Sequence, residues 1–133
     1  MIRDAERLNA LLSDIHHFIT AECMPLEEDI DRSGVLPDGL VQRMRQLGLF
    51  GHSIPEAYGG AGLTCEELSC VNMVVSQAAT VFRARFGGNT GIASEALVVD
   101  GTDVQKRAYL PRLASGEWTG CFALTEPEAG SDA

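Results

Sequence analysis

Between Asp4 and Cys23 the apolar residues stand at Leu8, Leu11, Leu12, Ile15, Phe18 and Ile19. Steps of three and four put them on one face of an amphipathic helix, and such a face must be buried against another element. The same helical grammar runs on. Pro25 breaks or kinks the first helix, Leu26–Ile30 adds a turn or two, and Ser33-Gly34 with Pro37 marks a turn. A second helix is predicted from Pro37 to Leu47, with proline at its start and Gly48 just past its end. Thr64 and Glu67 form a capping box that opens a helix over Cys65–Phe82. That helix is apolar on most sides, so it is expected to be buried all round. Gly87-Gly88 interrupts the pattern, a fourth helix runs from Thr90 to Val99, and Thr102 with Gln105 caps a fifth. Pro111 is expected to kink or end that helix near Leu110. The predicted fold class is all-α, with about five to six helices.

With 133 residues the chain is long enough for one domain with a core. Its 10 basic and 19 acidic residues give a formal charge of −9, which repels phosphate backbones and argues against nucleic-acid binding. No apolar stretch approaches the roughly 20 residues of a membrane span, and the opening residues do not read as a secretory signal. Cys23, Cys65, Cys70 and Cys121 have neither CxxC nor paired spacing, and the histidines are scattered at 16, 17 and 52. The expectation is no metal site and reduced, mostly buried thiols in a cytoplasmic protein.

Several stretches invite a chemical reading and receive a plainer one. Gly59-Gly60-Ala61-Gly62 lacks the preceding strand and the spacing of a nucleotide fingerprint, so it reads as a connection between helices. Gly87-Gly88-Asn89-Thr90-Gly91 reads the same way. His16 and His17 are neighbours on a helix and diverge, Lys106, Arg107 and Arg112 read as a solvated basic face, and Glu95 as an exposed or capping carboxylate. The last residues differ. Trp118–Leu124 alternates like a half-buried strand, Thr125-Glu126-Pro127 ends it, and Gly130 permits close backbone approach. Consecutive N–H groups near Ala129, Gly130 and Ser131, with the hydroxyls of Thr125 and Ser131, describe a polar ligand edge.

Thr125-Glu126-Pro127-Glu128-Ala129-Gly130-Ser131-Asp132 resembles the acyl-CoA dehydrogenase signature, in which a strand leads into a Thr-Glu-Pro-x-Ala-Gly-Ser-Asp loop. Gly101–Lys106, Tyr109–Glu117 and Ile54–Gly62 support the match in the order the family uses them. The resemblance implies an N-terminal helical domain at 1–117, followed at 118–133 by the first strand and cofactor loop of a middle β-domain absent from this chain. It implies FAD as cofactor, lined by Phe122, Ala123, Leu124 and Thr125, with Gly130 and Ser131 near the pyrophosphate. It implies an acyl-CoA substrate reached by Ser131, and an acyl-tail pocket to which Ala93, Ser94 and Leu97 contribute from one helix face.

The implied reaction is α,β-dehydrogenation of an acyl-CoA thioester in fatty-acid or related lipid catabolism. A glutamate takes the α-proton, a hydride passes to flavin, and electron-transfer flavoprotein or another acceptor reoxidises it in a tetramer or dimer. That glutamate belongs to the family's C-terminal domain and matches no residue here. Glu126 and Glu128 sit in the cofactor loop and do not replace it, so no catalytic residue is assigned. The chain alone is expected to be inactive and to be part of a longer enzyme. A same-fold acyl-CoA oxidase or flavin monooxygenase is the alternative among enzymes. The non-enzymatic alternative is a helical subunit that docks on a partner dehydrogenase.

Overall fold

A computed structural model describes residues 1–131. Its α-helices are α1 (Ala5–Phe18), α2 (Glu27–Ser33), α3 (Asp38–Gln46), α4 (Cys65–Val75), α5 (Thr80–Gly87), α6 (Ile92–Asp100) and α7 (Asp103–Ala114). No strand occurs among the described residues. The domain is all-α, as its periodicity predicts.

Asp4 caps α1 by accepting the Arg7 N–H at 2.9 Å, and beyond Phe18 the helix widens into a π-type turn at Ile19–Cys23 before Pro25. Ile15, Phe18 and Ile19 from the predicted face are fully buried. They meet Leu40 and Met44 of α3, Val71 and Val75 of α4, and Phe82 and Phe86 of α5 in the main core. A smaller core joins Ile54 to Leu110, Leu113 and Ala114 of α7. Each such side chain contributes roughly 1.5–3 kcal/mol by leaving water.

Both predicted capping boxes form, Thr64 with Glu67 and Thr102 with Gln105. Glu67 is also buried, and it accepts the Arg3 N–H at 2.9 Å and the Thr64 N–H at 2.8 Å. These N–H donors, first that of Arg3, hold its carboxyl down at about 2.

The structure corrects several expectations. The helix predicted over Cys65–Phe82 is two helices, because the Glu27 carboxylate captures the Ala79 N–H at 2.6 Å and caps α5 from 52 residues upstream. Nor is it buried all round: Met73 is 74% exposed and Val81 39%, while Val71 and Val75 face the core. Pro111 does not end α7, which runs on to Ala114. The missing N–H costs one bond on an exposed face, and burial of Leu110, Leu113 and Ala114 carries the last turn. Of the cysteines only Cys23 is buried, its thiol pushed up to about 12 by desolvation; Cys65 and Cys121 are exposed.

Candidate functional site

Trp118–Leu124 is the stretch that sequence pattern reads as a strand. Here it lies across the α5–α6 junction and, among the described residues, makes no ladder. A strand needs a neighbour to hydrogen-bond, and this segment finds side chains instead.

Asn89, fully buried, donates from Nδ2 to the Leu113 carbonyl at 2.9 Å and to the Trp118 carbonyl at 2.8 Å. Its Oδ1 accepts the Gly120 N–H at 2.8 Å. Arg85 Nη1 donates to Thr119 Oγ1 at 3.0 Å, and the Arg112 guanidinium lies 4.4 Å from the centre of the Trp118 ring. The strip also sits very close to the helices. A Cβ on Gly120 would collide with the Ala93 side chain, and one on Gly88 would come within 2.7 Å of the Gly120 carbonyl oxygen.

This arrangement forms a groove of about 610 Å³, walled by Ala93 and Leu97 of α6, Tyr109 and Leu113 of α7, and the strip Trp118–Cys121. Ala93 and Leu97, one helical turn apart, open into it together. Ser94 does not: it is buried on the other side of α6, with its hydroxyl 3.4 Å from that of Ser53. The shared face expected of Ala93, Ser94 and Leu97 therefore holds for the first and last only.

Beyond the groove, Phe122 is 48% exposed and Leu124 53%, with Ala123 and Thr125 also exposed. Glu126 and Ala129 exchange both backbone hydrogen bonds, at 2.8 and 3.3 Å, closing a tight turn around Pro127-Glu128. The Ala129 N–H is consumed by that turn and is lost to the polar ligand edge expected of residues 129–131. Gly130 and Ser131 are exposed beside it, while Asp132, the last residue of the signature, lies outside the described residues. Apolar side chains turned to solvent next to hydroxyls, on backbone without ladder bonds, suit one wall of a flat, polar-edged ring system such as FAD. In this respect the residues present fit the cofactor.

A second groove, of about 540 Å³, lies between the start of α1 and the loops at 47–52 and 59–63. It contains His52, buried to 2% exposure, with no hydrogen-bond partner on either ring nitrogen. Burial pushes this imidazole down to about 4; the Leu47 carbonyl opposes that shift without meeting hydrogen-bond geometry. An ordinary histidine titrates near 6.5, so between pH 6.5 and 4 the unfolded chain takes up a proton that the folded chain refuses. Stability therefore falls as pH falls through that window, by on the order of 3 kcal/mol in all. Denaturant titrations at pH 7 and pH 4 should show this loss in the native protein and a much smaller one in His52→Leu. An equal acid loss in both would remove His52 as the cause.

Sequence reasoning gave Asn89 no role, placing it in a glycine-rich connection. The available signal was a carboxamide between Gly88 and Gly91 immediately before an apolar helix, where a short polar side chain can reach several backbones at once. His52, between Gly51 and Ser53, carries no comparable signal.

The fold and this site coincide with one known class. The family described as "Acyl-CoA dehydrogenase, N-terminal domain" matches residues 5–117. The acyl-CoA dehydrogenase of Bacillus subtilis is 34% identical over 126 residues, covering 90% of this chain and 31% of that protein. Acryloyl-CoA reductase (NADH) of Anaerotignum propionicum is 37% identical over 137 aligned positions, covering 100% of this chain and 33% of the relative. Among solved structures, the acyl-CoA dehydrogenase of Bacillus anthracis complexed with FAD superposes with a TM-score of 0.79 at 34% identity, over 98% of this chain and 22% of that one. The chain belongs to the acyl-CoA dehydrogenase family. It spans about a third of the length of the curated relatives it matches.

Among the described residues no group of His, Cys, Asp and Glu is placed to hold a metal, and no helix is long and apolar enough to cross a membrane.

Proposed function

We propose that this chain supplies the N-terminal helical wall, and residues 118–131 the cofactor-facing strip, of an FAD-dependent enzyme that α,β-dehydrogenates acyl-CoA thioesters. The observation that carries this reading is the continuity of two surfaces. An apolar groove at Ala93 and Leu97 runs along the strip Trp118–Cys121, and the chain continues from it directly into the exposed residues Phe122–Thr125.

FAD, when bound, would supply the acceptor for the hydride that leaves the β-carbon, while the electron pair of the broken α-C–H bond becomes the new C=C bond. This chain's residues bind and orient. Phe122, Ala123, Leu124 and Thr125 offer the ring a surface, Gly130 and Ser131 the phosphate-bearing part, and Ser131 also reaches the thioester substrate. Ala93 and Leu97 set the width available to the acyl tail, and the apolar groove wall keeps water from it. The α-proton is removed by a carboxylate outside these residues. Electron-transfer flavoprotein or another acceptor, and a dimeric or tetrameric assembly, belong to the same proposal.

The test is anaerobic mixing of the native polypeptide, isolated from its host, with saturated acyl-CoA thioesters of graded length. Bleaching of a co-purified visible flavin band supports the proposal; absence of flavin, or a flavin indifferent to every thioester, contradicts it. The Anaerotignum propionicum relative favours a second reading in which the same wall serves the reverse direction, an enoyl-CoA reduced at the expense of NADH. Bleaching by NADH and recolouring by an enoyl thioester would select it.

Leu97→Phe narrows the groove. It should lower kcat/KM for the longest accepted thioester by about tenfold or more while changing a short one little, because each methylene in an apolar pocket carries roughly 1–3 kcal/mol. Equal losses across the series would remove Leu97 from the acyl pocket.

A further inference from the structure

We propose that Asn89 is a positioning residue. Its buried carboxamide fixes the register of Trp118–Gly120 on α6, and so the height of Leu124 and Thr125 above the Ala93–Leu97 groove. This rests on the FAD reading above and assigns a device within it.

Asn89 joins three elements through one side chain: the α5–α6 junction that carries it, the end of α7 through the Leu113 carbonyl, and the strip through Trp118 and Gly120. Two donors meet two carbonyls and one acceptor meets one N–H, so only one orientation of the amide satisfies all three. Aspartate would turn a carboxylate toward two carbonyl oxygens. Leucine, of similar shape, would leave the Trp118 carbonyl and the Gly120 N–H without their partner, and the Leu113 carbonyl with the Gly116 N–H alone.

The Trp118 N–H also donates to the Arg112 carbonyl at 3.1 Å, which ties the start of the strip to α7. The Arg85–Thr119 contact is exposed, so past Trp118 the one buried side-chain anchor among the described residues is Asn89. Close packing makes the pin consequential. With Gly120 against Ala93 and Gly88 against the Gly120 carbonyl, the strip has no slack along α6. A shift released at residue 89 is therefore passed along the backbone to residues 121–125. Misplacing a reacting partner by about 1 Å costs on the order of 10²-fold in rate.

The experiment compares Asn89→Asp and Asn89→Leu with the native flavin-loaded polypeptide, and with Leu110→Ala as a control. Leu110 is fully buried in the α7 core, does not line the groove and takes no part in the hydrogen bonds of Asn89. The expected result is a fall in kcat on the order of 10²-fold in both Asn89 variants, with weaker FAD retention and a displaced visible flavin band. Leu110→Ala, at equal or greater loss of Tm, should leave the band where it is. If either Asn89 variant fails to fold, Asn89→Ser, which keeps one hydroxyl toward the same backbone groups, carries the comparison.

Asn89 variants with kcat within about twofold of native and an unmoved band would overturn the proposal. So would losses no larger than those of Leu110→Ala at matched Tm. A native polypeptide that carries no flavin overturns the functional reading first and this proposal with it, and that result is distinct from a normal holoenzyme indifferent to residue 89.

Discussion

Gly60→Ala should cost at least about 3 kcal/mol of stability, one of the two largest effects expected of a single substitution here. A Cβ at position 60 would land on the Ile54 carbonyl, 2.5 Å from its carbon, and 2.6 Å from the Gly51 carbonyl oxygen. Both obstacles are backbone and cannot swing aside. They are also in use: Ala61 donates to the Gly51 oxygen at 2.9 Å and Gly62 to the Ile54 oxygen at 2.8 Å. The alanine must separate these two loop strands, losing about 1 kcal/mol per bond on top of the overpacking itself. Ile54, fully buried, would be drawn out of the core beneath α7 as they part. The denaturant midpoint measures the effect directly. A loss below about 0.5 kcal/mol would mean that the loop accommodates a side chain there.

Phe50→Ala should cost about 3–5 kcal/mol. The ring is fully buried, meets Phe86 edge-on at 6.4 Å between centroids and 73° between planes, and lies 5.3 Å under the Arg85 guanidinium. It also closes against Gly116, where an added Cβ would come within 2.7 Å of the ring. Its loss opens a cavity at the point where α7 hands over to the strip. Two partners of that strip are disturbed together, because Arg85 holds Thr119 and Gly116 starts the run toward Asn89. Phe50→Leu, which refills most of the volume, should recover a large part of the stability. If Phe50→Ala and Phe50→Leu unfold at the same denaturant concentration, the cavity account is wrong.

Local signals were legible wherever both partners lie within one turn of helix. The α1 stripe, the capping boxes at Thr64 and Thr102, and Gly48 at left-handed φ (68°) after α3 could all be read from neighbouring residues. What escaped is nonlocal. The α4–α5 break depends on Glu27, far upstream, and without it a run from Cys65 to Phe82 gives no reason to stop. Pro111 was read by its local cost, while the deciding term was burial of the last turn of α7. The strand pattern at Trp118–Leu124 is an alternation that any extended backbone with one apolar side shows, and ladder bonds require a partner strand.

The candidate site divides the same way. Thr125–Ser131 was legible as a motif, and the tight turn between Glu126 and Ala129 is what its proline suggests. Ala93 and Leu97 follow from helical spacing, but the same spacing admitted Ser94, whose hydroxyl instead pairs with Ser53, 41 residues away. Asn89 and His52 differ from ordinary loop residues only in what the fold packs around them.

The central claim is that Phe122–Ser131 forms a wall of the flavin site. Amide hydrogen exchange on the native polypeptide, flavin-loaded and flavin-stripped, tests it directly. The account predicts slow exchange across Phe122–Thr125 and Gly130–Ser131 with FAD present and fast exchange without it, while α1, α3 and α4 change little. Equal exchange in that segment in both states, with protection appearing elsewhere in the chain, would contradict it.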